Sequence, residues 1–197
     1  MIVRRFVASV FAATLFVAAC RNEPPPPPPG PTGPTPEELA QRRADSIARA
    51  EAQRRADSLA AAEAARRERE RAVAAARATL EEMVFFDYDM SEIRPDAAQV
   101  LRAKVGILRA SPQVQLRIEG HADERGSTEY NLALGNRRAD AVRQFLVGFG
   151  LDESRFAIVS YGEERPLVRA SNEEAWARNR RAQFQITAGA NAINPAN

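Results

Sequence analysis

Large apolar side chains are confined to part of this 197-residue chain, and that limits where a core can form. Between an apolar leader and Met83 the sequence is mostly alanine, arginine, glutamate and proline. Such a stretch cannot bury enough apolar surface to fold by itself. From Met83 to Thr187 the composition becomes that of an ordinary globular protein. About 105 residues are therefore available for a core, which suits one domain of common size.

Residues 1–19 read as a secretory signal. Arg4 and Arg5 supply the positive start, and residues 6–19 supply an apolar run closed by small side chains. The run is shorter than the ~20 residues that span a bilayer. It ends in Val17-Ala18-Ala19-Cys20, which resembles a bacterial lipobox with valine in leucine's usual place. That resemblance implies cleavage before Cys20 and lipid attachment to it. Cys20 is the single cysteine, so an intrachain disulfide and a thiolate metal cage are excluded. Arg21, where aspartate would favour retention in the inner membrane, points to the outer membrane.

Residues 20–36 form a linker around the unbroken run Pro24 to Pro29, which predicts a polyproline II spacer of about 3.1 Å per residue. Residues 37–82 predict a helical stalk, since alanine, arginine and glutamate are strong helix formers. Thr32 or Thr35 is the expected opening residue, with Pro36 in the first turn. Glu38–Arg42, Asp45–Arg49, Glu51–Arg55 and Glu63–Arg67 stand four apart and offer weak ion pairs. Arg42-Arg43-Ala44-Asp45-Ser46-Ile47-Ala48 recurs as Arg54-Arg55-Ala56-Asp57-Ser58-Leu59-Ala60, but two copies do not make a solenoid. The sparse Leu39, Ile47, Leu59, Val73 and Leu80 hold no heptad, which favours a solvated single helix. Linker and helix together reach on the order of 100 Å.

The remaining chain predicts an α/β (α+β) layered domain in the order β-α-β-α-β-(α)-β. Residues 84–89, 114–119, 156–160 and 183–187 read as strands. Ala97, Val100, Leu101, Val105 and Leu108 recur at helical spacing behind Pro95. A second helix is expected from about Glu129 to Phe149, with Leu132, Leu134, Ala141, Val142, Phe145 and Leu146 toward the core. A short helix is expected at 172–177 and a disordered tail at 188–197.

Gly120 to Asn131 connects the second strand to the long helix and carries Asp123, Glu124 and Arg125 between two glycines. In α/β layers that edge is where ligands bind. Taken alone, Asp123 reads as a loop or cap residue and Arg138 as a solvated helix charge.

Motifs around this loop change that reading. Glu119-Gly120-His121-Ala122-Asp123-Glu124-Arg125-Gly126, Tyr130-Asn131, Ala133-Leu134-Gly135, Arg137-Arg138-Ala139, Ser160-Tyr161-Gly162-Glu163-Glu164-Arg165-Pro166 and Asn179-Arg180-Arg181-Ala182 stand at the spacing of the OmpA C-terminal-like family, which residues 83–187 resemble. The resemblance implies non-covalent binding of the diaminopimelate-containing peptide stem of peptidoglycan, with no cofactor, metal or catalytic residue. Asp123 is expected to accept from the ligand's ammonium, and Arg138 to hold its carboxylate in a two-pronged contact. Tyr88, Asp89, Ala122, Arg125, Ser127, Asn131 and Leu134 are expected to line the same pocket. The resemblance also implies partners in the Tol system, notably TolB, and an outer-membrane lipoprotein facing the periplasm. A second reading is a related lipoprotein that serves another envelope complex through its stalk.

Other classes find little support. The formal net charge is +2 and falls to about neutral once Arg4 and Arg5 are removed, with acids beside each arginine cluster, which does not suit a nucleic-acid binder. Asp123 and Glu124 are adjacent on a loop and rarely would such neighbours point at one bond. His121, the single histidine, reads as structural or peripheral; Trp176 reads as packing, and Arg180 and Arg181 as structural ion-pair or surface arginines.

Overall fold

The computed structural model describes Gly30 and residues 33–195. The leader, Cys20, the Pro24–Pro29 run and Thr32 lie outside the described residues. The chain divides into two compact units between Ala52 and Gln53. In the first unit, described residues from Pro36 to Ala52 are helical and exposed. They belong to α1 (Pro36–Glu81), which opens on a capping box. Thr35 N–H donates to Glu38 Oε2 at 2.8 Å, and Glu38 N–H donates to Thr35 Oγ1 at 3.2 Å. Of the stalk pairs expected from spacing, Glu63–Arg67 closes at 3.2 Å, whereas Asp45 accepts from Gln41.

The second unit, Gln53–Asn197, holds the domain. Its further elements are β1 (Val84–Phe85), α2 (Pro95–Ala110), β2 (Gln115–His121), α3 (Thr128–Gly148), β3 (Phe156–Gly162), α4 (Glu173–Asn179) and β4 (Arg181–Ala188). The expected alternation is present. The sheet order is β1-β4-β2-β3. β2 runs parallel to β3 and antiparallel to β4, so β2 and β3 share one C-terminal edge.

The core joins Leu116, Ile118 and Phe184 of the sheet to Leu101, Val105 and Leu108 of α2 and to Val142 and Leu146 of α3. α3 sits unusually close to β2. A Cβ added to Gly120 would lie 1.8 Å from the carbonyl oxygen of Gly135, so glycine at both positions lets the backbones meet.

Four expectations need correction. The first strand has two residues rather than six, because the chain turns after Phe86. Met90 N–H donates to Asp87 O at 3.3 Å, and Asp89 takes a left-handed φ of 57°. Leu132 faces solvent, and the buried face of α3 is built from Asn131, Leu134, Gly135, Arg138, Ala139, Val142 and Leu146. Two polar residues take the inward places that an apolar pattern assigns elsewhere.

The stalk does not end where the domain begins, since Ala76 and Leu80 are buried in the domain's core. Lys104, the chain's single lysine, fastens this junction. Its Nζ donates to the carbonyls of Thr79, Leu80 and Glu82 at 2.6, 3.1 and 2.7 Å, and it lies 4.1 Å from the centre of the Phe184 ring. Nor is the segment after β4 frayed throughout. Ile193 is buried in the core, and Asn194 N–H donates to Ser111 Oγ at 2.8 Å.

Candidate functional site

A cleft of about 90 Å³ opens at the shared C-terminal edge of β2 and β3. Three segments build it. The turn after β1 brings Tyr88 and Asp89; the β2–α3 loop brings Asp123, Arg125 and Gly126; α3 brings Tyr130, Asn131, Leu134 and Arg138. Asn131, Leu134 and Arg138 stand at i, i+3 and i+7, which places them on one helix face. Ser127 begins the helix, its hydroxyl accepting from Tyr130 N–H at 3.3 Å.

Seven of the nine expected binding residues meet in this lining. Ala122 and Ser127 stay outside it: Ala122 lines a neighbouring cleft, and Ser127 serves as the helix cap. Tyr130 and Gly126 line the cleft without having been singled out from sequence. The signal for Tyr130 was its place beside Asn131 in the family motif, four residues before Leu134; in the structure its hydroxyl donates to Asp89 Oδ1.

Arg138 is completely buried, with 0% of its surface exposed. Its Nε donates to Met90 O at 2.8 Å, Nη1 to His121 O at 2.7 Å and Nη2 to Asp87 O at 3.1 Å. A guanidinium has five N–H donors, so each terminal nitrogen keeps one unused. Burial pushes its pKa down to about 10, with Asp123 opposing, and the group remains charged at neutral pH.

Asp123 is 4% exposed. Oδ1 accepts from Arg125 N–H and Nε at 3.1 and 3.2 Å, and Oδ2 accepts from Arg125 Nη2 at 2.7 Å and Arg180 Nη1 at 3.2 Å. Burial pushes its carboxyl up, but these hydrogen bonds together outweigh burial and hold it below the usual carboxylate value. Arg180 is thus an internal ion-pair residue, in line with its expected structural role.

Asn131 donates to Glu163 Oε2 at 2.5 Å and to Arg125 O at 3.3 Å, tying α3 to the loop after β3. Trp176 packs against Arg125 and donates to Glu124 Oε1 at 3.0 Å. His121 is 1% exposed, and neither ring nitrogen has a hydrogen-bond partner. Chemically, the cleft sets a carboxylate and a guanidinium of opposite sign into one lining, with aromatic rings at the rim.

Residues 85–180 match the OmpA family model. Among solved structures, the chain is similar to the crystal structure of the peptidoglycan-associated lipoprotein from Burkholderia pseudomallei. That match has 37% identity and a TM-score of 0.53, covering 54% of this chain and 91% of that one. The chain belongs to the OmpA family. The peptidoglycan-associated lipoprotein of Brucella melitensis is 50% identical to this chain over 101 residues, covering 51% of this chain and 60% of the relative. That of Haemophilus influenzae is 46% identical over 99 residues, covering 50% and 65%. The chain thus spans about 60% of the length of the first curated relatives it matches. The C-terminal domain of Helicobacter pylori MotB shares the fold, at 21% identity and a TM-score of 0.50.

Proposed function

We propose that this OmpA family chain binds the diaminopimelate-containing peptide stem of peptidoglycan without cleaving it. One observation carries the reading. Asp123 and Arg138 line a single small cleft, and each terminal nitrogen of Arg138 retains a free N–H suited to a carboxylate. A diamino acid centre carries an ammonium and a carboxylate on one carbon, which matches that pair of charges. Tyr88 and Tyr130 at the rim offer apolar contact to the ligand's methylene chain.

With lipid on Cys20, the same binding tethers the outer membrane to the cell wall, the domain facing the periplasm. The names of the curated relatives support this role. In this reading the chain serves as the peptidoglycan-associated lipoprotein of a Tol system, with TolB among its partners. The exposed helix of the first unit supports the second reading, in which the stalk docks another envelope complex.

Co-sedimentation of the full chain in detergent with purified peptidoglycan tests the binding. Wild type is expected to pellet, while folded Asp123→Ala and Arg138→Ala variants stay in solution. A folded wild type that never pellets removes the wall-binding reading. Release of soluble wall fragments would show an enzyme instead. Deleting residues 37–72 separates the two partner readings: wall binding survives, and an interaction lost with the deletion belongs to the stalk.

A further inference from the structure

The carboxylate assigned to the ligand's ammonium is already occupied. Asp123 already accepts four hydrogen bonds from protein donors: one from the Arg125 backbone N–H, two from the Arg125 side chain and one from Arg180. An entering ammonium must take the place of one of them.

Arg180 cannot leave cheaply. Its Nε donates to Phe86 O at 3.2 Å, its Nη2 to Glu173 Oε1 at 2.8 Å, and its side chain is 8% exposed. Moving it would strand a buried cation, which is strongly unfavourable. Arg125 is placed differently. Its side chain is 28% exposed, and its guanidinium carbon lies 4.0 Å from the Tyr88 ring centre and 4.2 Å from that of Trp176. Ring faces attract a cation without demanding one hydrogen-bond direction. Arg125 already bridges weakly to a second acid: Nη1 donates to Glu173 Oε2 at 3.4 Å, on a carboxylate that is 63% exposed and can take the guanidinium fully.

We infer that Arg125 is a displaceable latch, an internal occupant of the ammonium site that swings from Asp123 to Glu173 when ligand enters. The inference rests on the reading of the cleft as a site for a zwitterion. Arg125 is then a specificity-determining residue rather than a ligand contact. Asp123 keeps Arg180 and stays charged and in place when the latch opens. A ligand that brings only a carboxylate has nothing to offer Asp123, so the latch stays shut against it. Opening requires an ammonium, and selectivity for a zwitterion follows from the competition itself.

Calorimetric titration of the full chain in detergent tests this. The probe is the soluble tripeptide L-alanyl-γ-D-glutamyl-meso-diaminopimelate. A latch shut nine-tenths of the time weakens apparent affinity about tenfold, so Arg125→Gln is expected to bind up to about tenfold tighter than wild type. Glu173→Gln removes the alternative seat and is expected to bind a few-fold more weakly. Trp176 is the single tryptophan, so its fluorescence is expected to change on binding in wild type and to lose most of that change in Arg125→Gln. A folded Arg125→Gln chain that binds equally or more weakly overturns the latch, as does a Glu173→Gln chain with wild-type affinity. The second variant keeps the test decisive where the first fails to fold. A folded wild type that gives no heat with the probe overturns the cleft reading and the latch with it; wild-type binding beside an unimproved Arg125→Gln overturns the latch alone.

Discussion

The guanidinium of Arg138 on α3 donates to the main-chain oxygen of His121, the last residue of β2, over 2.7 Å. With the bonds to Asp87 O and Met90 O, one side chain stitches three segments around the cleft. Arg138 therefore holds the site together through these main-chain contacts, whatever it contributes to binding. Arg138→Ala leaves carbonyls without donors in a buried setting, and is expected to cost roughly 3 kcal/mol. Urea denaturation checks the loss. Arg138→Lys should recover only part of it, because one ammonium cannot reproduce the planar fork. A wild-type midpoint for Arg138→Ala would mean that these bonds carry little stability.

Acid should weaken this domain before its carboxylates titrate. Burial, aided by Arg181 and Arg165, pushes the pKa of His121 from 6.5 down to about 3. Between those values the unfolded chain binds a proton that the folded chain refuses. Stability is full above pH 6.5 and is lost as pH falls toward 3. At pH 5 the loss relative to neutral pH is about 2 kcal/mol. His121→Phe removes this titration and keeps a ring against Tyr161, whose centre lies 5.6 Å from that of His121. Denaturant melts at pH 7, 6 and 5 should show a shallower slope in the variant. Equal slopes would contradict a neutral, buried imidazole.

Backbone contact between β2 and α3 leaves no room for a methyl group. Gly120→Ala places Cβ against Gly135 O at 1.8 Å, and Gly135→Ala places it 2.3 Å from Ser160 Oγ. The first obstacle is main chain and the second is a small rotatable hydroxyl, although Gly120 O also lies 2.8 Å away. Gly120→Ala is therefore expected to be the more damaging, at about 3 kcal/mol or more. Thermal melts followed by circular dichroism rank the two.

Lys104 offers a test with an unambiguous signal, because no other lysine ε-amine is present. Burial pushes its pKa from 10.5 down to about 7, with Glu82 and Glu81 opposing. The three carbonyls and the end of the α1 dipole also favour the charged form. Nitrogen NMR titration should place the amine below 10.5. As its folded pKa is depressed, its contribution to stability rises as pH increases from about 7 to 10.5. Lys104→Met is expected to cost about 2 kcal/mol and to speed hydrogen exchange in the last turns of α1.

Much of the architecture was legible because its signals are local. Helical spacing from Ala97 to Leu108 and the alternation at Val114, Leu116 and Ile118 each report the environment of one element. The family resemblance implied one pocket for Asp89, Asp123, Asn131 and Arg138, and all four line the same cleft. Only the tertiary structure decided that β1 stops after Phe85, that Leu132 faces out, and that Leu80 and Ile193 belong to the core. It also decided that Asp123 is closed by Arg125 and Arg180, one of them 57 residues away. A residue's periodicity records which way it faces along its own element. Which charge reaches it, and which chain end packs over it, depends on distant segments whose attraction leaves no pattern in the neighbouring residues.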